Sequence, residues 1–438
     1  MISRWFCLLG TLSALSVSAA VDKIGRAPEL PDSMPWDLVA LGDVPEFRWV
    51  KEKGPIRSLI YAGETYFNEP TEVFAFYATP ETIGGNVAGE NDYPAVVLVH
   101  GGGGTAFAEW VWMWANRGYA AIAMDLSGHR PPSPLFEKET GEFLEDRGLG
   151  REFRTMRKQM AAPGPGQGHP EKFGNIGGEV DDDWPFHAIS AVIRAHTLVR
   201  SFREVDHSRT AITGISWGGY TTCIVASIDS RFAAAVPVYG CGFLHEGESV
   251  QKPAIEQSEF PEEWVKLYDP SSYLGACRVP IMFVNGNRDK HYPLDSYSKS
   301  YDLVPGAKTI RIEVGMGHSH PAGWAPEEIG RFIDSHCKGD DSLVTLGKPI
   351  PTKDGIELTY EAAVPLKSAA LHYTADSGPQ VKRVWKQSNA KIEDGKITSG
   401  KPPAGTTVWL ISTTDQRDAL VTSEVVFPKK SQPVPAAP

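Results

Sequence analysis

Cysteine is scarce in this chain, five in 438 residues, and the spacing fits no zinc pattern, so no metal site is expected. Long hydrophobic runs are missing too. After the first two dozen residues none is apolar enough to cross a bilayer, so the rest is expected to be soluble, without membrane association. Basic residues are in deficit, 43 Lys and Arg against 54 Asp and Glu for a net charge of −11. That balance argues against nucleic acid or anionic lipid as a partner and favours a neutral or apolar substrate. With 41% hydrophobic and 22% charged residues, the composition is that of an ordinary globular protein, and the length predicts one large domain with a smaller companion.

At the N-terminus Arg4 precedes the apolar stretch Trp5 to Val17, followed by Ser18, Ala19 and Ala20. That is the layout of a cleavable secretory signal over residues 1–20, and it predicts a secreted or periplasmic protein. Cys7 would leave with the signal. Cys223, Cys241, Cys277 and Cys337 then remain, and both bridges and buried free thiols are open to them.

From residue 65 the chain alternates strand and helix patterns. The run AVVLVH (residues 95–100) reads as a strand buried on both faces; a helical pattern over 107–116 and the strand YAAIAM (119–124) complete a βαβ unit. Further strands are expected at 210–215, 232–239, 281–284 and 309–314, and helices at 186–202, 220–227, 294–303 and 326–337. This order predicts an α/β fold, an open and mostly parallel sheet with helices on both faces, over residues 65–338. Residues 129–183, rich in Pro, Gly and charge, interrupt the alternation after a strand and read as a cap-like insertion. Residues 21–64 form an N-terminal segment. Short β-patterned runs over 340–428 suggest a small β-sandwich-like domain, and 429–438 a disordered tail.

The stretch TAITGISWGGY (residues 210–220) places Gly214-Ile215-Ser216-Trp217-Gly218 between a buried strand and a helix. In that context G-x-S-x-G is a sharp turn that lifts a serine oxygen clear of the sheet. A glycine-rich turn that happens to hold a serine is the bland alternative. A serine hydroxyl needs a positioned base, and Gly315-Met316-Gly317-His318-Ser319-His320 follows the last strand with two histidines, of which His318 is favoured. The loop after 281–284 holds Asp289, the orienting carboxylate; Asp295 lies in the first turn of the next helix, where an acid is commonly a dipole partner. The chain order serine, acid, histidine is that of α/β hydrolases. The developing oxyanion needs two backbone N–H donors, one from Trp217 and one from Gly102 or Gly103 in the run His100 to Thr105. His100, Trp184, Tyr220, Tyr292 and Trp324 are weaker candidates for the pocket wall, such aromatics being more often plain core packing. No cofactor is implied, and the glycine run lacks phosphate-loop spacing.

Together HGGGG, GISWGG, NGNRD and GMGHSH resemble the α/β-hydrolase superfamily, and within it the secreted esterases grouped with acetyl xylan esterases and dienelactone-hydrolase-like enzymes. The resemblance covers residues 65–338. It implies hydrolysis of a small-molecule or polysaccharide carboxylester through an acyl-enzyme on Ser216. One departure stands out: many such deacetylases carry a bulky residue after the HG, where this chain has only glycines. A serine exopeptidase of the prolyl-oligopeptidase-like type is an alternative, although residues 21–94 are too short for that family's propeller. A non-catalytic secreted binding protein on a hydrolase scaffold is another.

Overall fold

The computed structural model describes residues 24–137, 143–144, 156–167, 172–173 and 176–428. The expected signal at 1–20 and tail at 429–438 lie outside them.

Among the described residues the central sheet of the α/β part is built from nine strands: β1 (Phe47–Lys51), β2 (Arg57–Ala62), β3 (Glu72–Ala78), β4 (Tyr93–Val99), β5 (Ala120–Met124), β6 (Val205–Ile215), β7 (Ala234–Val238), β8 (Ile281–Gly286) and β9 (Lys308–Glu313). Their order is β1-β2-β3-β5-β4-β6-β7-β8-β9, antiparallel from β1 to β5 and parallel from β5 onward. Strands β4, β5 and β7 are almost wholly apolar because both faces are covered, and every residue of β5 and β7 is buried. The covering helices are α1 (Ala108–Asn116), α2 (Trp184–Arg200), α3 (Trp217–Ile228), α4 (Leu294–Leu303) and α5 (Glu327–Cys337). All twelve residues of α3 are buried.

The mostly parallel sheet expected from the alternation is thus present. Two strands, β1 and β2, come before residue 65 and extend that sheet at its antiparallel edge. Hairpin edges carry no α/β alternation, so the pattern did not announce them.

The C-terminal residues add β10 (Gly355–Glu361), β11 (Leu366–Thr374), β12 (Lys386–Glu393), β13 (Lys396–Gly400), β14 (Val408–Asp415) and β15 (Leu420–Thr422). They enclose a second core of Ile356, Leu358, Ala369, Leu371, Ile397, Trp409 and Ile411. Strand alternation divides β14: Trp409 and Ile411 face this core, while Val408 and Leu410 belong to the main one. The unit is not merely tethered. β15 pairs antiparallel with β9 through Ile310 and Thr422, and Glu328 of α5 accepts from the Leu420 N–H at 2.7 Å.

Cys223, Cys241, Cys277 and Cys337 are all buried and unbridged, so of the two open alternatives the free thiols are found. Burial pushes the Cys223 and Cys241 thiols well above the ordinary range, which keeps them protonated and inert.

Candidate active site

The carboxyl ends of β6, β8 and β9 deliver the three side chains singled out in the sequence. Ser216 follows β6 directly and begins α3 with φ 61° and ψ −119°, a conformation that costs a non-glycine residue about 1–3 kcal/mol. Packing holds it there. A β-carbon on Gly218 would meet the Val99 carbonyl well inside contact distance, so only glycine lets the helix start this close to β4. The Ser216 N–H donates to the Val238 carbonyl at 2.8 Å, locking the turn to β7.

His318 Nε2 lies 3.0 Å from Ser216 Oγ, and its Nδ1 lies 2.9 Å from Asp289 Oδ2. Asp289 is 2% exposed. Its second oxygen accepts from the backbone N–H groups of His291 at 2.7 Å and Tyr292 at 3.2 Å, which fixes the carboxylate plane and leaves Oδ2 for the imidazole. The ring of Tyr239, at the end of β7, packs on His318 at 4.6 Å, while its hydroxyl donates to the Gly317 carbonyl at 2.8 Å. His291 packs on the same imidazole at 4.6 Å, and burial holds it below its ordinary pKa, hence uncharged.

The two alternatives weighed in the sequence lie elsewhere. His320 accepts from the Gly101 N–H at 3.3 Å and packs on Phe107. Asp295 accepts from the Gln380 amide at 2.9 Å.

Of the oxyanion-loop glycines, Gly103 donates its N–H to Gln167 Oε1 at 3.1 Å. The Gly102 N–H has no acceptor among the described residues, and Trp217 supplies the first N–H of α3, which has no intrahelical partner. The all-glycine loop now has a physical reason. A β-carbon on Gly102 would stand 2.9 Å from Trp217 Cδ1, so the indole fills the place that a side chain at 102 would take. Trp217 is braced in turn by Tyr220 at 4.8 Å, Trp184 at 5.6 Å and Phe173 at 5.8 Å, with the Lys172 ammonium 4.8 Å over its ring.

The remaining pocket candidates take various positions. His100 is buried, with Nδ1 donating to the Gly101 carbonyl and Nε2 accepting from the Leu126 N–H, both at 2.8 Å; it shapes the loop and offers no spare polar atom. Trp184 and Tyr220 are fully buried, donating to the Leu126 and Tyr268 carbonyls. Trp324 packs beside Phe107 and Trp110 and lines a separate cavity of about 330 Å³. Tyr239, Lys172, Phe173 and Gln167 also stand around the site, and no motif points to them. Tyr239 alone has a sequence signal, being at the carboxyl end of the strand next to the elbow, where sheet ligands sit.

A serine held at a strand-to-helix elbow, hydrogen-bonded to an imidazole that a buried carboxylate orients, can carry out nucleophilic acyl transfer. The sheet order and this elbow place the chain in the α/β-hydrolase superfamily. Within it, residues 68–271 match the family model described as acetyl xylan esterase (AXE1). A curated relative, described as uncharacterized peptidase YuxL of Bacillus subtilis (strain 168), is 24% identical over 226 residues, 47% of this chain and 27% of the relative. The match thus spans about a quarter of that relative's length. Among solved structures the chain is similar to the acetyl xylan esterase from Paenibacillus sp. R4 (20% identity, 66% of this chain and 88% of that one, TM-score 0.48). It is also similar to Pyrococcus horikoshii acylaminoacyl peptidase (16% identity, 61% and 38%, TM-score 0.43).

Proposed function

We propose that this protein is a secreted serine carboxylesterase that hydrolyses short-chain esters, acetyl esters foremost, with acylated carbohydrate as a substrate class. The observation that carries the reading is the hydrogen-bonded row Ser216, His318, Asp289, at 3.0 and 2.9 Å, on a strained elbow. His318 Nε2 takes the Ser216 proton as Oγ bonds to the acyl carbon, and the carbonyl oxygen becomes an oxyanion facing the Trp217 and Gly102 N–H groups. The leaving alkoxide takes that proton from His318. Water, deprotonated by His318, then adds to the acyl-enzyme, and Ser216 is released with its proton restored.

Two features support the finer parts. The Trp217 indole pressed on Gly102 narrows the acyl side, which suits small acyl groups. The net charge of −11 disfavours anionic substrates and leaves neutral carbohydrate esters. The match to the acetyl xylan esterase family model over 68–271 inclines the reading the same way.

Labelling with a fluorophosphonate, mapped by peptide mass, followed by a p-nitrophenyl acetate to octanoate series tests this. A single adduct on Ser216 with fastest turnover of acetate is expected; no adduct and no ester turnover would return the chain to the non-catalytic alternative. The curated relative described as a peptidase keeps an exopeptidase as second reading. Faster cleavage of aminoacyl p-nitroanilides than of acetate esters would select it.

A further inference from the structure

Tyr292 is fully buried, yet among the described residues its hydroxyl has no partner within hydrogen-bond geometry. Buried tyrosines around it behave differently: Tyr239 and Tyr297 donate to the carbonyls of Gly317 at 2.8 Å and Val284 at 3.0 Å, and Tyr268 donates to Asp183 at 2.7 Å. A buried hydroxyl without a partner is unfavourable, and such groups persist where a function needs them.

The ring is tightly placed. Its backbone N–H donates to Asp289, its carbonyl accepts from Asn285 Nδ2 at 2.7 Å, and the ring stands nearly parallel to the His318 imidazole, 14° apart with centroids at 6.1 Å. The hydroxyl lies close to the Ser216 side chain, but the pair does not reach hydrogen-bond geometry. In the resting site Ser216 donates its proton to His318, and a neutral hydroxyl oxygen is a weak acceptor. Once Oγ gains charge it becomes a strong one.

We infer that the Tyr292 hydroxyl donates a hydrogen bond to Ser216 Oγ in the steps where the bond between Oγ and the acyl carbon forms and breaks. The inference rests on Ser216 being the nucleophile. In the forming step the Oγ proton passes to His318 Nε2, an Oγ electron pair bonds to the acyl carbon, and the carbonyl π pair moves to its oxygen. In the breaking step, after water has added and given a proton to His318, the bonding pair returns to Oγ, which takes that proton back. Tyr292 keeps its own proton throughout, because burial pushes its pKa well above that of an ordinary phenol.

The test is Tyr292→Phe, which deletes one oxygen and keeps the ring. Fluorophosphonate inactivation of Ser216 is measured in both proteins as a maximal rate and a half-saturating concentration, alongside Tm. The expected result is a maximal rate lower by about 10- to 100-fold, a half-saturating concentration within twofold, and a Tm unchanged or higher, since an unpaired buried hydroxyl has been removed. A maximal rate within twofold of the parent overturns the inference. So does a rate loss accompanied by a Tm drop of more than about 5 °C, because the hydroxyl would then be structural. Failure of the parent protein to label at Ser216 would instead sink the esterase reading, so the two failures are distinct.

Discussion

Two histidine–aspartate pairs lie along the same strand of this protein, and they differ instructively. At the carboxyl end of β6, His318 bridges Asp289 at 2.9 Å and Ser216 at 3.0 Å. Midway along it, His196 bridges Asp229 at 2.7 Å and Thr210 at 2.8 Å. The hydroxyl–imidazole–carboxylate chemistry is nearly the same, about 20 Å away along the strand. The surroundings are not. His196 and Asp229 are fully buried, Phe232 stacks on the imidazole at 3.5 Å, and Arg231 pairs with Asp229 at 2.8 Å. Burial pushes His196 down to about 4, and although burial alone would raise Asp229, His196 and Arg231 hold it far below the usual carboxylate range. His318, by contrast, keeps 21% of its side chain exposed, no arginine among the described residues pairs with its aspartate, and its serine sits on a strained elbow. Under the proposed reading, a Ser/Thr–His–Asp row serves as a site where its hydroxyl is strained and its imidazole partly exposed; elsewhere it ties a core together.

Substitutions can sharpen that contrast. Ser216→Ala should lower kcat by about 10⁴- to 10⁶-fold while leaving Tm unchanged or higher, and a loss under tenfold would mean the nucleophile is elsewhere. Asp289→Asn should lower kcat by about 10⁴-fold with little effect on urea unfolding, whereas Asp295→Asn should barely change the rate; the reverse pattern would reassign the acid.

The matching change in the buried row, Asp229→Asn, should do the opposite. Leaving Arg231 inside without its carboxylate should cost about 3–5 kcal/mol of stability, with kcat per folded molecule unchanged. Urea titration with active-site counting by fluorophosphonate separates the two effects, and equal loss of rate and stability would break the comparison.

The smallest expected effect concerns pH. Asp183, 2% exposed, has one oxygen bonded by Tyr268 at 2.7 Å and the other unpaired among the described residues. Burial raises its pKa to about 6, against about 3.9 unfolded. Since the folded protein holds this proton more tightly, the contribution is fully present below about pH 4 and is lost as pH rises through 6. Asp183→Asn should therefore raise stability at pH 8 relative to pH 5 by about 1.4 kcal/mol. An identical difference from the parent at both pH values would refute the assignment.

Sequence alone carried the parallel part of the sheet, because strands buried on both faces must be continuously apolar and alternate with amphipathic helices. It also carried the elbow and its partner loops, since a glycine beside the serine and a short loop after each strand are local requirements of the backbone. Ser216, Asp289 and His318 are legible as a set for that reason, and the fold brings them into hydrogen-bond contact. Sequence could not choose between Gly102 and Gly103 as a free N–H, because Gln167, from the insertion, takes the Gly103 amide. Nor could it explain the bare glycine loop, which depends on where the Trp217 indole folds. The joining of β15 to β9, the unbridged thiols and the unpaired Tyr292 hydroxyl are likewise matters of tertiary structure. Local backbone and periodicity rules are written in neighbouring residues, whereas contacts across a hundred positions are decided only when the chain closes on itself.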